Sequence, residues 1–76
     1  MANEEHLKLI KQGVDIWNAW REKCPEIHPD LSQADLRGVK LQKINLGNTN
    51  LKESKLQFSN LTGAQLGEAN LTKSKL

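Results

Sequence analysis

The sequence predicts a mainly β solenoid of about two coils placed behind an N-terminal amphipathic helix, and three regularities predict it. From Pro29 onward every leucine falls on one five-residue register: Leu31, Leu36, Leu41, Leu46, Leu51, Leu56, Leu61, Leu66, Leu71 and Leu76. The residue two before each leucine is usually small, as at Ala34, Thr49, Ser54, Ser59, Ala64, Ala69 and Ser74, and the residue directly before is aspartate or asparagine at 30, 35, 45, 50, 60 and 70. Residues 3–23 follow the helical period instead.

Amphipathicity at 100° per residue places Leu7, Leu9, Ile10, Val14, Ile16, Trp17 and Trp20 within half of the helical circle, with His6, Gly13 and Cys24. Lys8, Lys11, Gln12, Asp15, Asn18, Glu22 and Lys23 occupy the other half, and only Arg21 intrudes on the apolar arc. Asn3 is the expected N-cap, Glu4 and Glu5 suit the positive end of the helix dipole, Arg21 and Lys23 suit the negative end, and Pro25 stops the helix. The expectation is one helix over 3–23, with at most a slight bend at Gly13. Leu7, Ile10, Val14, Trp17 and Trp20 are its packing residues.

The leucine register belongs to neither regular element. Five residues turn an α-helix by about 500°, so the leucines would scatter around it. On a strand an odd step would send alternate leucines to opposite faces. A chain that turns a corner every five residues instead points each leucine inward from one wall of a four-sided coil, and about twenty residues complete a turn. Columns then stack at that interval: Asp30, Asn50 and Asn70 form one, and Asp35, Lys55 and Lys75 another. The Asp and Asn positions suit turning and bonding their own backbone, and the first column is also placed to carry a side-chain ladder.

The stretches Ala34-Asp35-Leu36 and Ala69-Asn70-Leu71 make residues 29–76 resemble the pentapeptide repeat family, whose pattern is alanine, aspartate or asparagine, leucine, then two variable residues. The resemblance implies a right-handed quadrilateral parallel β-helix. Val39 and Ile44 depart from the pattern where small residues are usual, and Lys40, Lys55, Gln65 and Lys75 replace the acidic or amide residue. Two regions follow: 1–28, a capping helix and linker, and 29–76, the repeat solenoid. A helix with a broad apolar face covers the first coil, which otherwise exposes unpaired backbone and leucines. The bulky Val39 and Ile44 lie in that first coil, shaped to the lid.

Composition narrows function. The single cysteine, Cys24, excludes an internal disulfide and leaves no thiolate set for structural zinc, and with His28 it forms no nucleophile–base or metal constellation. His6 reads as a partly exposed packing residue. Gly38, Gly47, Gly63 and Gly67 are spaced by the repeat and form no phosphate loop. A leucine-filled coil has no pocket for a small molecule. The chain is therefore read as no enzyme, with no cofactor and no metal. No segment approaches the roughly 20 apolar residues that span a bilayer, and no signal peptide opens the chain, so no membrane partner and a cytoplasmic address are expected.

Two function classes remain. The favoured one is a structural and interaction module whose flat faces meet a protein partner, with Phe58, in an outward register position beside Gly38, as candidate contact residue. The second is nucleic-acid-related: some pentapeptide repeat proteins resemble duplex DNA and thereby bind topoisomerases. Such mimicry needs an acidic rod, whereas residues 29–76 hold seven basic and four acidic residues. At about 11 Å the coil is also short. Direct weak binding to nucleic acid is the surviving form. The lysines at 40, 43, 52, 55, 73 and 75 read as a solvated surface dispersed over several walls. Leu71 and Leu76 lie at an open end, and the resemblance implies association of two copies there. Alternatively, the chain is the capped N-terminal module of a longer solenoid.

Overall fold

Asn3 begins the first helix as expected: its side-chain Oδ1 accepts the backbone N–H groups of Glu5 (2.9 Å) and His6 (3.2 Å). The computed structural model describes residues 2–76. In place of one helix there are two, α1 (Glu4–Lys11) and α2 (Val14–Lys23). The break is at Gly13, whose φ of 118° and ψ of 162° lie in a region only glycine enters without strain. Ile10 closes α1 by accepting the Gly13 N–H, and Gly13 opens α2 by accepting the Trp17 N–H. Periodicity hides such a break, because each half keeps its own apolar side. Ile16, which the single-helix arc puts on the apolar side, is 47% exposed. Ile10 and Trp17 are buried, and Leu7, Val14 and Trp20 are partly buried against the same core.

Beyond the linker the backbone repeats its path every twenty residues. Parallel pairing joins Asp30 to Asn50, Asp35 to Lys55, Lys40 to Asn60, Asn45 to Gln65, Asn50 to Asn70 and Lys55 to Lys75. Around the first of these, Leu31 N–H donates to Asn50 O and Asn50 N–H donates to Pro29 O, both at 2.8 Å. No extended strand forms among the described residues, contrary to the mainly β expectation. The reason is geometric: each wall offers one fully paired residue before the chain turns, so pairing is confined to isolated bridges.

The turns are uniform. From Ala34 N–H to Leu31 O through Ser74 N–H to Leu71 O, the residue three after each leucine donates back to it. The residue two after each leucine has positive φ, between 55° and 71°, at Gln33, Gly38, Lys43, Asn48, Glu53, Phe58, Gly63, Glu68 and Lys73. A closed four-residue turn with a left-handed third residue is a type II turn, and seven of these nine positions carry a Cβ that resists it. Opposing that cost, the side chains of Asp30, Asp35, Asn45, Asn50, Asn60 and Asn70 each accept the N–H two residues ahead. These side chains are thereby turned to their own backbone and not to a ladder along the column.

Leu31, Leu36, Leu41, Leu46, Leu51 and Leu56 are buried, with Ala34, Ile44, Thr49 and Ser54 beside them. The helices cover the first coil with apolar packing and with hydrogen bonds. Trp17, fully buried, donates its indole N–H to Asn45 O at 2.7 Å. Asn18 accepts the Asn45 N–H (2.8 Å) and donates to Lys43 O (3.0 Å). Arg21, 7% exposed, donates to Gly47 O (2.8 Å), Thr49 Oγ1 (3.1 Å) and Asn45 O (3.3 Å). No carboxylate pairs with it, and burial lowers its pKa. At the Asp30 wall, Asn3 N–H donates to Asp30 O (2.9 Å), and the Nδ1 of His6 accepts the Asp30 N–H (3.0 Å). The His6 ring also packs on Trp20, 5.0 Å between centroids, so it is more than a packing residue. The covering thus closes the walls at Asp30 and Asn45, whereas Asp35 and Lys40 face solvent.

Three outcomes follow from these contacts. Gly38 has open space where a Cβ would lie, so Gly38→Ala isolates the backbone cost and lowers unfolding free energy by about 1 kcal/mol. Glu53→Gly, at an equivalent φ, raises it by about 0.5–1 kcal/mol, and equal effects of the two in urea melts would refute the turn assignment. Arg21→Met removes the guanidinium from Gly47 O, which keeps the Thr49 hydroxyl as its other donor, and from Thr49 Oγ1 and Asn45 O, and lowers stability by about 2 kcal/mol, with Arg21→Lys recovering only part. For His6, burial depresses the pKa below its ordinary 6.5, against the opposing pull of Asp30 and Glu5. The unfolded chain therefore binds more protons in the window below pH 6.5. Stability is full above that pH and falls as acid reaches the folded pKa. His6→Gln keeps an acceptor for the Asp30 N–H without titrating, and its melting temperature is expected to be flatter across that window.

Candidate interaction surfaces

The repeat turns its apolar side chains inward, so what lies outside is set by the two variable residues of each repeat and by the wall residue. Phe58 is the extreme case. It is 94% exposed and occupies the left-handed turn position with φ 64°, above Gly38 in the stacking register. For a bulky residue both conditions are unfavourable, since the ring gains no burial and the Cβ crowds the backbone.

Between Phe58 and the corner before it stands the wall of Asp35, Lys55 and Lys75, joined in parallel pairs. Asp35 is held by Arg37, whose Nε donates to Oδ1 and Nη2 to Oδ2, both at 2.9 Å. The Arg37 side chain, and next the Arg37 backbone N–H, hold this exposed carboxyl down to about 2. Lys55 and Lys75, both exposed, are directly opposite one another. The corner preceding this wall carries Lys52 and Glu53 on one level and Thr72 and Lys73 on the next, with Glu53 N–H donating to Thr72 O at 2.9 Å. Of the six lysines read from the sequence as dispersed, Lys55 and Lys75 thus share one wall and Lys52 and Lys73 the corner before it.

Burial falls along the coil axis. Leu56 is 3% exposed, Leu61, Leu66 and Leu71 are partly buried, and Leu76 is 76% exposed. Interlevel pairing ends with Leu56 N–H to Lys75 O (2.7 Å) and Lys75 N–H to Ser54 O (2.9 Å). Leu71 and Leu76 lie on this last described level.

The surface depressions are shallow and lie on the helical side. One of about 280 Å³ is lined by Leu9, Ile16, Ala19, Trp20 and Lys23, and another of about 300 Å³ lies between α1 and the Asp35 wall. Among the described residues no three His, Cys, Asp or Glu side chains converge as metal ligands. Cys24 is half-buried and His28 exposed. No helix among the described residues is long and apolar enough to cross a membrane. Arg21 and Asn18 are the residues whose structural role sequence reasoning missed. For Arg21 the signal was its intrusion on the apolar arc; Asn18, on the polar half, offered none.

The family model for pentapeptide repeats matches residues 30–66 and 49–76, in eight copies. No match was found among the curated proteins or among the solved structures. With the leucine register, the uniform five-residue turns and a family match spanning residues 30–76, more than half of its length, this chain belongs to the pentapeptide repeat family.

Proposed function

We propose that the chain is a non-catalytic interaction module, built as a right-handed quadrilateral parallel β-helix of about two coils with an N-terminal helical cap, whose flat outer faces engage a protein partner. The observation that carries this reading is the division of labour within each repeat. Leucine and the small residue fill the interior, and the variable residues are left to the outside, where they can differ without disturbing the fold. Membership of a structural repeat family supports the same reading. A photo-crosslinking residue placed at 58 is expected to capture a protein from native cells in a manner competed by the untagged chain; the same residue at 68, on another corner, is the control. Capture that untagged chain does not compete at either position would overturn the reading.

The unpaired edge around Leu71 and Leu76 supports a second contact, association of two copies through their last coils. Such a contact buries leucine and pairs backbone groups in one step. The 76-residue chain is expected to show a dimer by light scattering at tens of micromolar, as an order of concentration. Leu76→Asp shifts it to monomer by placing a charge in the contact. A wild-type monomer under those conditions would refute it.

A further inference from the structure

We propose that the face bounded by Lys52, Lys73 and Phe58 docks an acidic, extended peptide segment carrying an apolar side chain that packs on Phe58. The proposal rests on the interaction-module reading and narrows its partner. An excess of positive charge and an exposed aromatic ring meet on this one face. Lys55 and Lys75 are a directly opposed like-charge pair, which destabilises paired backbones. The acid beneath them, Asp35, is held by the Arg37 side chain and backbone N–H and stands next to Lys55 alone, so Lys75 has no acid paired with it on this wall. Lys52 and Lys73 add two more exposed cations, with Glu53, next to Lys52 and in the same column as Lys73, the acid of that corner. Beside them Phe58 is 94% exposed in a left-handed conformation.

One kind of partner answers both the charge and the exposed ring. Carboxylates placed over Lys55 and Lys75 remove the like-charge repulsion. Levels about 4.8 Å apart, with Lys52 and Lys55 three residues apart on one level and Lys73 and Lys75 two apart on the next, suit an extended chain whose alternate side chains face the wall about 7 Å apart. The Phe58 ring stands 94% exposed, so the partner's apolar group lies against it. A nucleic-acid strand is the poorer fit. It would meet a single stacking ring where strand binding uses several, and its continuous charge would run over Glu53.

The test uses the full 76-residue chain and fluorescence anisotropy with three probes: an oligoglutamate peptide with a central leucine, the same peptide with serine in place of leucine, and oligothymidylate. The leucine peptide is expected to bind at low ionic strength and to weaken as salt rises. Lys55→Gln with Lys75→Gln lowers its affinity about tenfold, while Lys40→Gln with Lys43→Gln, on other walls, changes it less than about twofold. Phe58→Ser weakens the leucine peptide several-fold and leaves the serine peptide unchanged. Equal responses to the two lysine pairs, or tighter binding of oligothymidylate than of the leucine peptide, would overturn the proposal. A competed crosslink at 58 that is indifferent to Lys55→Gln with Lys75→Gln would also overturn it while leaving the interaction-module reading in place.

Discussion

A backbone that turns a corner every five residues makes few hydrogen bonds within itself, and the pairing of each level with the next is what the rest of the structure depends on. Each leucine N–H in the lower levels is satisfied by a carbonyl nineteen residues ahead, as from Leu31 to Asn50 and from Leu56 to Lys75. Pairing of this kind has a direction and two ends. The first level has nothing beneath it, and a buried leucine layer next to open backbone is unfavourable there. The covering α1 and α2 supply is for that reason more polar than a hydrophobic lid. Trp17, Asn18, Arg21 and His6 supply side-chain donors and acceptors where another level would have supplied peptide groups. Arg21 meets carbonyl and hydroxyl oxygens only, so its charge is balanced by backbone dipoles and by no acid.

The same constraint explains the tolerance of strained turns. Nine corners require a left-handed residue, and only Gly38 and Gly63 meet it with glycine. At roughly 1–2 kcal/mol each, the others are held by what the turn delivers, a leucine aimed inward and an amide aimed at the next level. Six corners gain a further bond from the Asp or Asn that precedes the leucine. The corners following Lys40, Lys55 and Gln65 do without it.

Much of this was legible in the sequence, because it is periodic. The leucine register, the twenty-residue interval, the self-bonding Asp and Asn side chains and the Asn3 cap are all statements about spacing. The exceptions are those spacing does not encode. Gly13 sits in a pattern that continues across it, so the break shows only in its backbone angles. The left-handed corners are masked because their occupants, from Gln33 to Lys73, are chemically mixed. His6 and Asn18 act on residues 24 and 27 positions away, at a distance no local pattern reaches. The gathering of Lys52, Lys55, Lys73 and Lys75 depends on which corner precedes which wall. Charge counts along the chain had shown only a mild basic excess.

Equal spacing of the levels also bears on how the chain reaches this state. Interlevel bonds join residues nineteen or twenty-one apart, and the bonds from the helices to the first level span 24 to 28. Every loop that must close is therefore of nearly the same length, and the entropy of closure, which grows only with the logarithm of that length, hardly changes from one level to the next. No long-range contact waits upon a far larger closure. Growth can proceed outward from the first level resting on Trp17, each completed turn serving as template for the next, with the chain order doubling as the order of assembly.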